Sequence, residues 1–280
     1  MCARLHVSCG RDGVKARVMD EKVCVVKHVE DEGPGMLGDY FTRLGWEVDI
    51  LEVFKGDPLP ESLDSIAGVV ILGGPMNVYE EEAYPFLRLE EQFIKRLLAE
   101  EVPFLGVCLG GQLLAKASGA PVTKAPREEK GWLEVELTPT GLHDSFFRGM
   151  AQLFPVFQWH EDTFAVPEGG VLLATGKSCR NQAIRVGSVA YGLQFHLEMT
   201  PEMVKSWTEA ESTVDAGLIA EEGAKHWARF EEQSMTVLGN FQHLMESSGR
   251  VKRTMRLFVE STQRKSTRLW WSPENRTLQG

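Results

Sequence analysis

The chain has 280 residues, 43% hydrophobic and 25% charged, the make-up of a globular protein with room for one large α/β domain plus additions. A formal net charge of −10 argues against nucleic acid as a partner, and no apolar run approaches the ~20 residues that span a bilayer. No apolar signal-peptide core opens the chain, and Cys2, Cys9, Cys24, Cys108 and Cys179 form an odd, scattered set without zinc-site spacing, so a reducing cytoplasm is expected.

Residues 1–20 carry no usable periodicity and read as a flexible extension, with Met19 an alternative start. The β-branched run 23–27 is the first expected strand, with His28 directly after it. Glu30, Asp31, Glu32 and Gly33 form a loop, Pro34 opens a helix through Met36, Leu37, Tyr40, Phe41 and Leu44, and Gly45 stops it. Residues 48–53 and 67–72 are the next strands. Strand, helix and strand at this spacing predict right-handed βαβ units. The strand 67–72 runs into Gly73-Gly74-Pro75-Met76, either a plain tight turn or a loop whose free N–H groups meet an anion. Residues 84–100 form a helix, with Phe86, Leu89, Phe93 and Leu97 at helical spacing; the acidic run before it reads as solvated.

The most informative stretch follows. Residues 104–107 read as a buried strand, Cys108 comes next, and 109–117 read as a helix with Gly119 as its stop. Gly106 and Gly110 flank the cysteine at two residues on each side, the pattern of a nucleophile elbow. A thiol at a helix N-terminus is favoured as thiolate. A buried structural cysteine is the plain alternative.

Beyond it, residues 121–124 and 132–137 are expected strands, with 126–130 a charged loop that could border a pocket. Residues 141–149 read as a turn with a short helix, and 154–159 as a strand delivering Gln158, Trp159 and His160. Residues 171–175, 182–186 and 189–196 complete the sheet. The last strand ends in His196-Leu197-Glu198. Residues two apart on a strand share a face, so Glu198 can hold the His196 imidazole in one tautomer. His160 is the rival base; His196 is preferred for its neighbouring carboxylate. Two amphipathic helices, 201–215 and 221–247, follow. From Arg250 the composition turns basic, ending in a tail with Trp270 and Trp271. The expected units are an extension at 1–20, a main domain at 21–205, C-terminal helices at 206–249 and a flexible basic tail at 250–280.

With Gly-Val-Cys-Leu-Gly-Gly-Gln at 106–112, Phe-His-Leu-Glu at 195–198, Leu-Gly-Gly-Pro-Met at 72–76 and Gln-Trp-His-Glu-Asp-Thr-Phe at 158–164, the chain resembles the class I (triad) glutamine amidotransferases. The resemblance runs from about Val23 to about Trp207. It is nearest to stand-alone members similar to the amidotransferase half of GMP synthetase. It implies a flavodoxin-like α/β fold, here expected as a mostly parallel central sheet flanked by helices with extra C-terminal helices. It implies a triad of Cys108, His196 and Glu198, oxyanion-hole N–H groups from Gly74 and Leu109, and substrate contacts from Gln112 and from Gln158, Trp159 and His160. No metal or cofactor is implied. The substrate would be glutamine or a γ-glutamyl small molecule, and an ammonia-accepting synthetase is the partner in one reading; a free-standing γ-glutamyl hydrolase and a non-catalytic binding module are the others. Two positions depart from the family pattern. Glu161 stands where relatives usually have Gly, and its charge could crowd a substrate α-carboxylate; Leu197 replaces a frequent Pro.

Overall fold

The structure, a computed structural model, describes residues 21–270, with side chains as far as residue 249. The expected extension 1–20, Met19 and the last ten residues of the tail lie outside the described residues.

Strand β1 (Lys22–Lys27) leads to helix α1 (Gly35–Arg43), β2 (Glu47–Glu52), β3 (Ile66–Ile71), α2 (Phe86–Ala99), β4 (Phe104–Val107) and α3 (Leu109–Ala117). Then come β5 (Val122–Leu137), β6 (Leu153–Phe164), β7 (Val171–Thr175), β8 (Asn181–Val186), β9 (Ala190–Leu193), α4 (Pro201–Ala210) and α5 (Ala216–Trp270). The nine strands of the described residues form one sheet in the order β2-β1-β3-β4-β9-β8-β7-β5-β6.

Alternation along the central strands explains the layering. Val23 and Val25 of β1 join one core with Leu37 and Phe41 of α1 and Val237, Leu238 and Phe241 of α5. Cys24 and Val26, one residue out of step, join the opposite core with Leu87, Phe93 and Leu97 of α2 and Leu113 and Leu114 of α3. Each β1 residue from 23 to 26 is therefore buried, the mark of a strand covered on both faces. Trp132, Phe157, Val204, Ile219 and Phe230 form a third, smaller core beneath α4 and α5.

The expectation of a mostly parallel sheet needs correction: the sheet is mixed. Pairings β2-β1, β1-β3, β3-β4 and β4-β9 are parallel, while β9-β8, β8-β7, β7-β5 and β5-β6 are antiparallel. The reason is connection length. Only a few residues join β7 to β8 and β8 to β9, enough for a reversal and too few for a crossover. Residues 126–130, expected as a loop, lie within β5, whose pairing with β6 shifts register between Lys124 and Glu129 and so bulges over β6. The last strand is shorter than expected. It stops at Leu193, and the backbone of His196 joins the sheet through an isolated bridge to Phe157. The second C-terminal helix is longer, continuing through the position at 250 where composition changes.

The parallel strands β1, β3, β4 and β9 end on the same edge. His28, Gly73, Cys108 and the segment to His196 follow those ends directly, so four separate stretches converge there.

Candidate active site

Cys108 occupies a sharp strand-to-helix turn. Its backbone has φ 51° and ψ −105°, a conformation that non-glycine residues rarely adopt, and it is the N-cap of α3. Neighbouring contacts hold it there: its N–H donates to Leu193 O at 2.8 Å and its carbonyl accepts from Gln112 N at 2.9 Å. The flanking glycines are a packing requirement. A Cβ on Gly106 would run into the Gly110 carbonyl, and one on Gly110 into the Ile71 carbonyl. The sulfur lies 3.9 Å from the Trp159 carbonyl oxygen and 3.9 Å from Gln194 Nε2.

His196 Nδ1 is 2.7 Å from Glu198 Oε1, and the other carboxylate oxygen accepts the Leu197 N–H at 2.9 Å. Glu198 thus fixes the ring although the pair lies beyond the regular strand. Both residues are nearly inaccessible to solvent. The second ring nitrogen, Nε2, is buried and has no hydrogen-bond partner. Burial opposes the charged ring, but the Glu198 carboxylate and the Cys108 thiol close by outweigh it and hold the His196 pKa well above the ordinary histidine value. Trp207 of α4 covers the imidazole edge-on at 5.0 Å between ring centroids.

Gly73 wedges between these groups. A Cβ there would lie 3.0 Å from His196 Cε1 and 3.7 Å from Cys108 Cβ. Gly74 follows, with its ideal Cβ position 3.0 Å from Leu109 Cδ2. Among the described residues, the N–H groups of Gly74 and Leu109 have no acceptor.

A cavity of about 550 Å³ opens onto this cluster, lined among others by Gly74, Cys108, Gln112, Trp159, His160 and His196. Gln112 donates to Asp162 O at 3.2 Å from the cavity wall. Gln158 is not brought to the cavity: it is fully buried and donates to Gln182 Oε1 at 2.7 Å. His160 borders the cavity with both nitrogens engaged, Nδ1 donating to Asp162 O at 2.9 Å and Nε2 3.0 Å from Glu129 Oε2. Glu161 lines the exposed mouth of the cavity and pairs with Lys124 at 3.1 Å, so its charge is partly neutralised there.

Sequence reasoning passed over Glu32, Glu129, Asp162, Lys130, Trp207 and Glu211. Glu32 lines the cavity, and burial pushes its carboxyl upward despite the nearby His196 and His28. Lys130 is tied to Glu128 and Glu211 and lies 5.9 Å from the centre of the Trp159 ring. The expected pocket-bordering role of 126–130 pointed toward Glu129 and Lys130, and the motif at 158–164 contains Asp162. Among the described residues one group could hold a metal ion, Glu129, His160 and Cys179, whose donor atoms lie within 4.8 Å of one another. Each is already engaged: Glu129 accepts from Gln182 Nε2 and Cys179 N, and Cys179 Sγ lies 2.9 Å from Thr163 Oγ1. Burial raises the thiol pKa of Cys179, and that of Cys24 to about 12, which leaves both unsuited to nucleophilic work.

Fold and site together define an α/β protein with a cysteine, histidine and glutamate cluster at the edge where its parallel strands end. The family model for class-I glutamine amidotransferases matches residues 31–210, and the chain belongs to that family. Among curated relatives, the glutamine amidotransferase-like protein YfeJ of Salmonella typhimurium is 29% identical over 187 residues, 66% of this chain and 78% of that one. One subunit of the glutamine-hydrolysing GMP synthase of Methanothermobacter thermautotrophicus is 32% identical over 144 residues, 51% of this chain and 71% of its own. The match to the GMP synthase of Porphyromonas gingivalis, 31% identical over 150 residues, spans 53% of this chain and 28% of that longer protein. The crystal structure of a glutamine amidotransferase from Thermotoga maritima superimposes with a TM-score of 0.71 at 38% identity, covering 82% of this chain and 98% of that one. No helix among the described residues is long and apolar enough to cross a membrane.

Proposed function

We propose that this protein hydrolyses the γ-amide of glutamine or of a γ-glutamyl compound through a thioester on Cys108. The observation that carries the reading is the unpartnered His196 Nε2 beside the Cys108 thiol, with Nδ1 held by Glu198 at 2.7 Å. A positively charged ring beside Cys108 stabilises negative charge on the sulfur as it acts as nucleophile. The thiolate attacks the γ-carbonyl carbon, and the Gly74 and Leu109 N–H groups receive the developing oxyanion. The imidazolium protonates the leaving nitrogen, which departs as ammonia or an amine. The neutral ring then takes a proton from water, which attacks the thioester and releases the acid with the thiol restored. Gln112 and the backbone around Trp159 and His160 hold the substrate.

The ammonia passes to a synthetase partner in the reading supported by the likeness to one subunit of a GMP synthase. A free-standing γ-glutamyl hydrolase is supported by a different observation. The cavity of about 550 Å³ is large for glutamine alone, and Trp159 and Trp207 wall it with rings 6.0 Å apart that suit a bulkier leaving amine. Ammonia release from glutamine is measured first, alone and with candidate synthetases, then product release from γ-glutamyl amides. Stimulation by a synthetase supports the first reading, and faster turnover of γ-glutamyl amides without a partner supports the second. Unchanged turnover in Cys108→Ala removes both.

A further inference from the structure

We infer that His28, braced by Glu90, is a positioning residue that aims the Gly74 N–H into the cavity. The inference rests on the proposed reaction, in which that N–H receives the oxyanion. His28 follows β1 and Glu90 lies in α2, and both are fully buried. His28 Nδ1 is 2.6 Å from the Gly73 carbonyl oxygen, and Nε2 is 3.0 and 3.2 Å from the two Glu90 oxygens. A carbonyl can only accept, so Nδ1 carries a proton and donates it.

The Gly73 carbonyl and the Gly74 N–H belong to one peptide group. In a planar trans peptide they point in opposite directions. His28 lies in the interior and does not line the cavity, whereas Gly74 does. Drawing the carbonyl inward therefore turns the N–H outward, toward the space beside Cys108. Without this tether two successive glycines would let the peptide flip, because neither has a side chain to resist it. Glu90 fixes the ring from its far side and Phe86 covers its face, with ring centroids 5.9 Å apart. Burial opposes charge on His28, but Glu90 and the Gly73 carbonyl outweigh it, so the ring pKa is raised and Nδ1 stays a donor. A buried ion pair of this kind is seldom worth more to stability than an apolar pair of the same shape, which leaves orientation as its function.

The test compares His28→Leu, which removes the donor, with His28→Asn, whose amide can restore one near the Nδ1 position. Two rates are read on full-length protein: ammonia release from glutamine or product release from γ-glutamyl-p-nitroanilide, and alkylation of Cys108 by iodoacetamide. Alkylation displaces iodide at a saturated carbon and builds no oxyanion, so it reports on the thiol and its histidine alone. His28→Leu is expected to lower kcat about 10²- to 10³-fold, with KM and alkylation within about threefold of wild type. His28→Asn is expected to recover at least about tenfold of the kcat loss. The inference is overturned if His28→Leu keeps kcat within about fivefold, if alkylation falls in step with kcat, or if His28→Asn is no better than His28→Leu. Should His28→Leu not fold, Glu90→Gln carries the test: a kcat loss of about tenfold with alkylation unchanged supports the role, and no loss overturns it. Wild-type protein that turns over neither substrate refutes the proposed reaction and this role with it, whereas active wild type with an unimpaired His28→Leu removes the positioning role alone.

Discussion

Two histidines, each paired with a buried glutamate, line the same cavity, and they are wired differently. His160 has an oxygen at each ring nitrogen, the Asp162 carbonyl on one side and Glu129 on the other. His196 has Glu198 at Nδ1 and, at Nε2, no hydrogen-bond partner, with the Cys108 side chain as its neighbour. A fully engaged imidazole has no lone pair or proton to offer a reacting group without first breaking a bond. One with a single free nitrogen beside a thiol can exchange a proton at once. Residue type and local charge do not separate the two pairs; the partner count does.

The largest effects should follow that difference. His196→Gln is expected to lower kcat on the order of 10⁴-fold or more, as when the general base is removed from other triads. His160→Gln should leave kcat within about tenfold and show its cost in KM and in thermal stability. Steady-state ammonia release with both variants checks this, and equal kcat losses would break the comparison.

Glu198→Gln should follow at about 10³-fold in kcat, because the ring loses its main supporting charge and one of the two acceptor oxygens is replaced by a donor. The pH profile carries a sign. The His196 pKa is raised, so the charged ring persists well above pH 6.5 and the alkaline limb of activity lies where that folded pKa is crossed. Removing the Glu198 charge should move this limb toward lower pH; a limb that stays in place contradicts the assignment. By linkage, the stability His196 contributes is fully present below its unfolded pKa of about 6.5 and is lost as pH rises through the raised folded value.

On the other side of the comparison the effect is structural. Glu129→Leu leaves Gln182, the Cys179 N–H and His160 without their shared acceptor inside the protein. A loss of about 3–5 kcal/mol in unfolding free energy is expected, measured by denaturant titration. In the fraction that remains folded, Cys108 alkylation should be little changed. A collapse of thiol reactivity with full stability would make Glu129 part of the reacting group after all.

The parts of this site differ in how far sequence could reach them. Cys108 is legible because its signal is local: an apolar run, two glycines at fixed offsets and a helix. Glu198 is legible by its spacing from His196, although the spacing works here through a bend after Leu193 and not through a continuous strand. The parallel half of the sheet follows from strand and helix spacing, whereas the antiparallel half depends on which reversals pair, a long-range matter. Glu129 and Glu90 show the limit most clearly. Each sits beside another glutamate, Glu128 or Glu91, and one of each pair is buried; Glu90 shares the helix face of Leu87, Phe93, Ile94 and Leu97, whereas Glu129 is turned inward by packing alone. A carboxylate inside a charged run has no sequence signature until its histidine partner is brought to it from another strand or helix.

The smallest expected effect concerns Glu161, the departure from the family pattern that put glutamine preference in question. To repel a substrate α-carboxylate, this charge must act unscreened inside the cavity. The side chain is 59% exposed and paired with Lys124, which also lies 3.3 Å from Asp162 Oδ1. A charge in water beside a cation exerts little field on a group deeper in the cavity, since solvent and counter-charge both screen it. Glu161→Gly should therefore change stability by less than about 1 kcal/mol and KM for glutamine by less than about threefold. Lys124→Ala is the sharper probe, because it leaves Glu161 and Asp162 uncompensated at the mouth. It should raise KM more than Glu161→Gly lowers it, and added salt should shrink the difference. A fall in KM of tenfold or more in Glu161→Gly would mean that the carboxylate turns inward when substrate enters, and the natural substrate would then be one without a free α-carboxylate near that position.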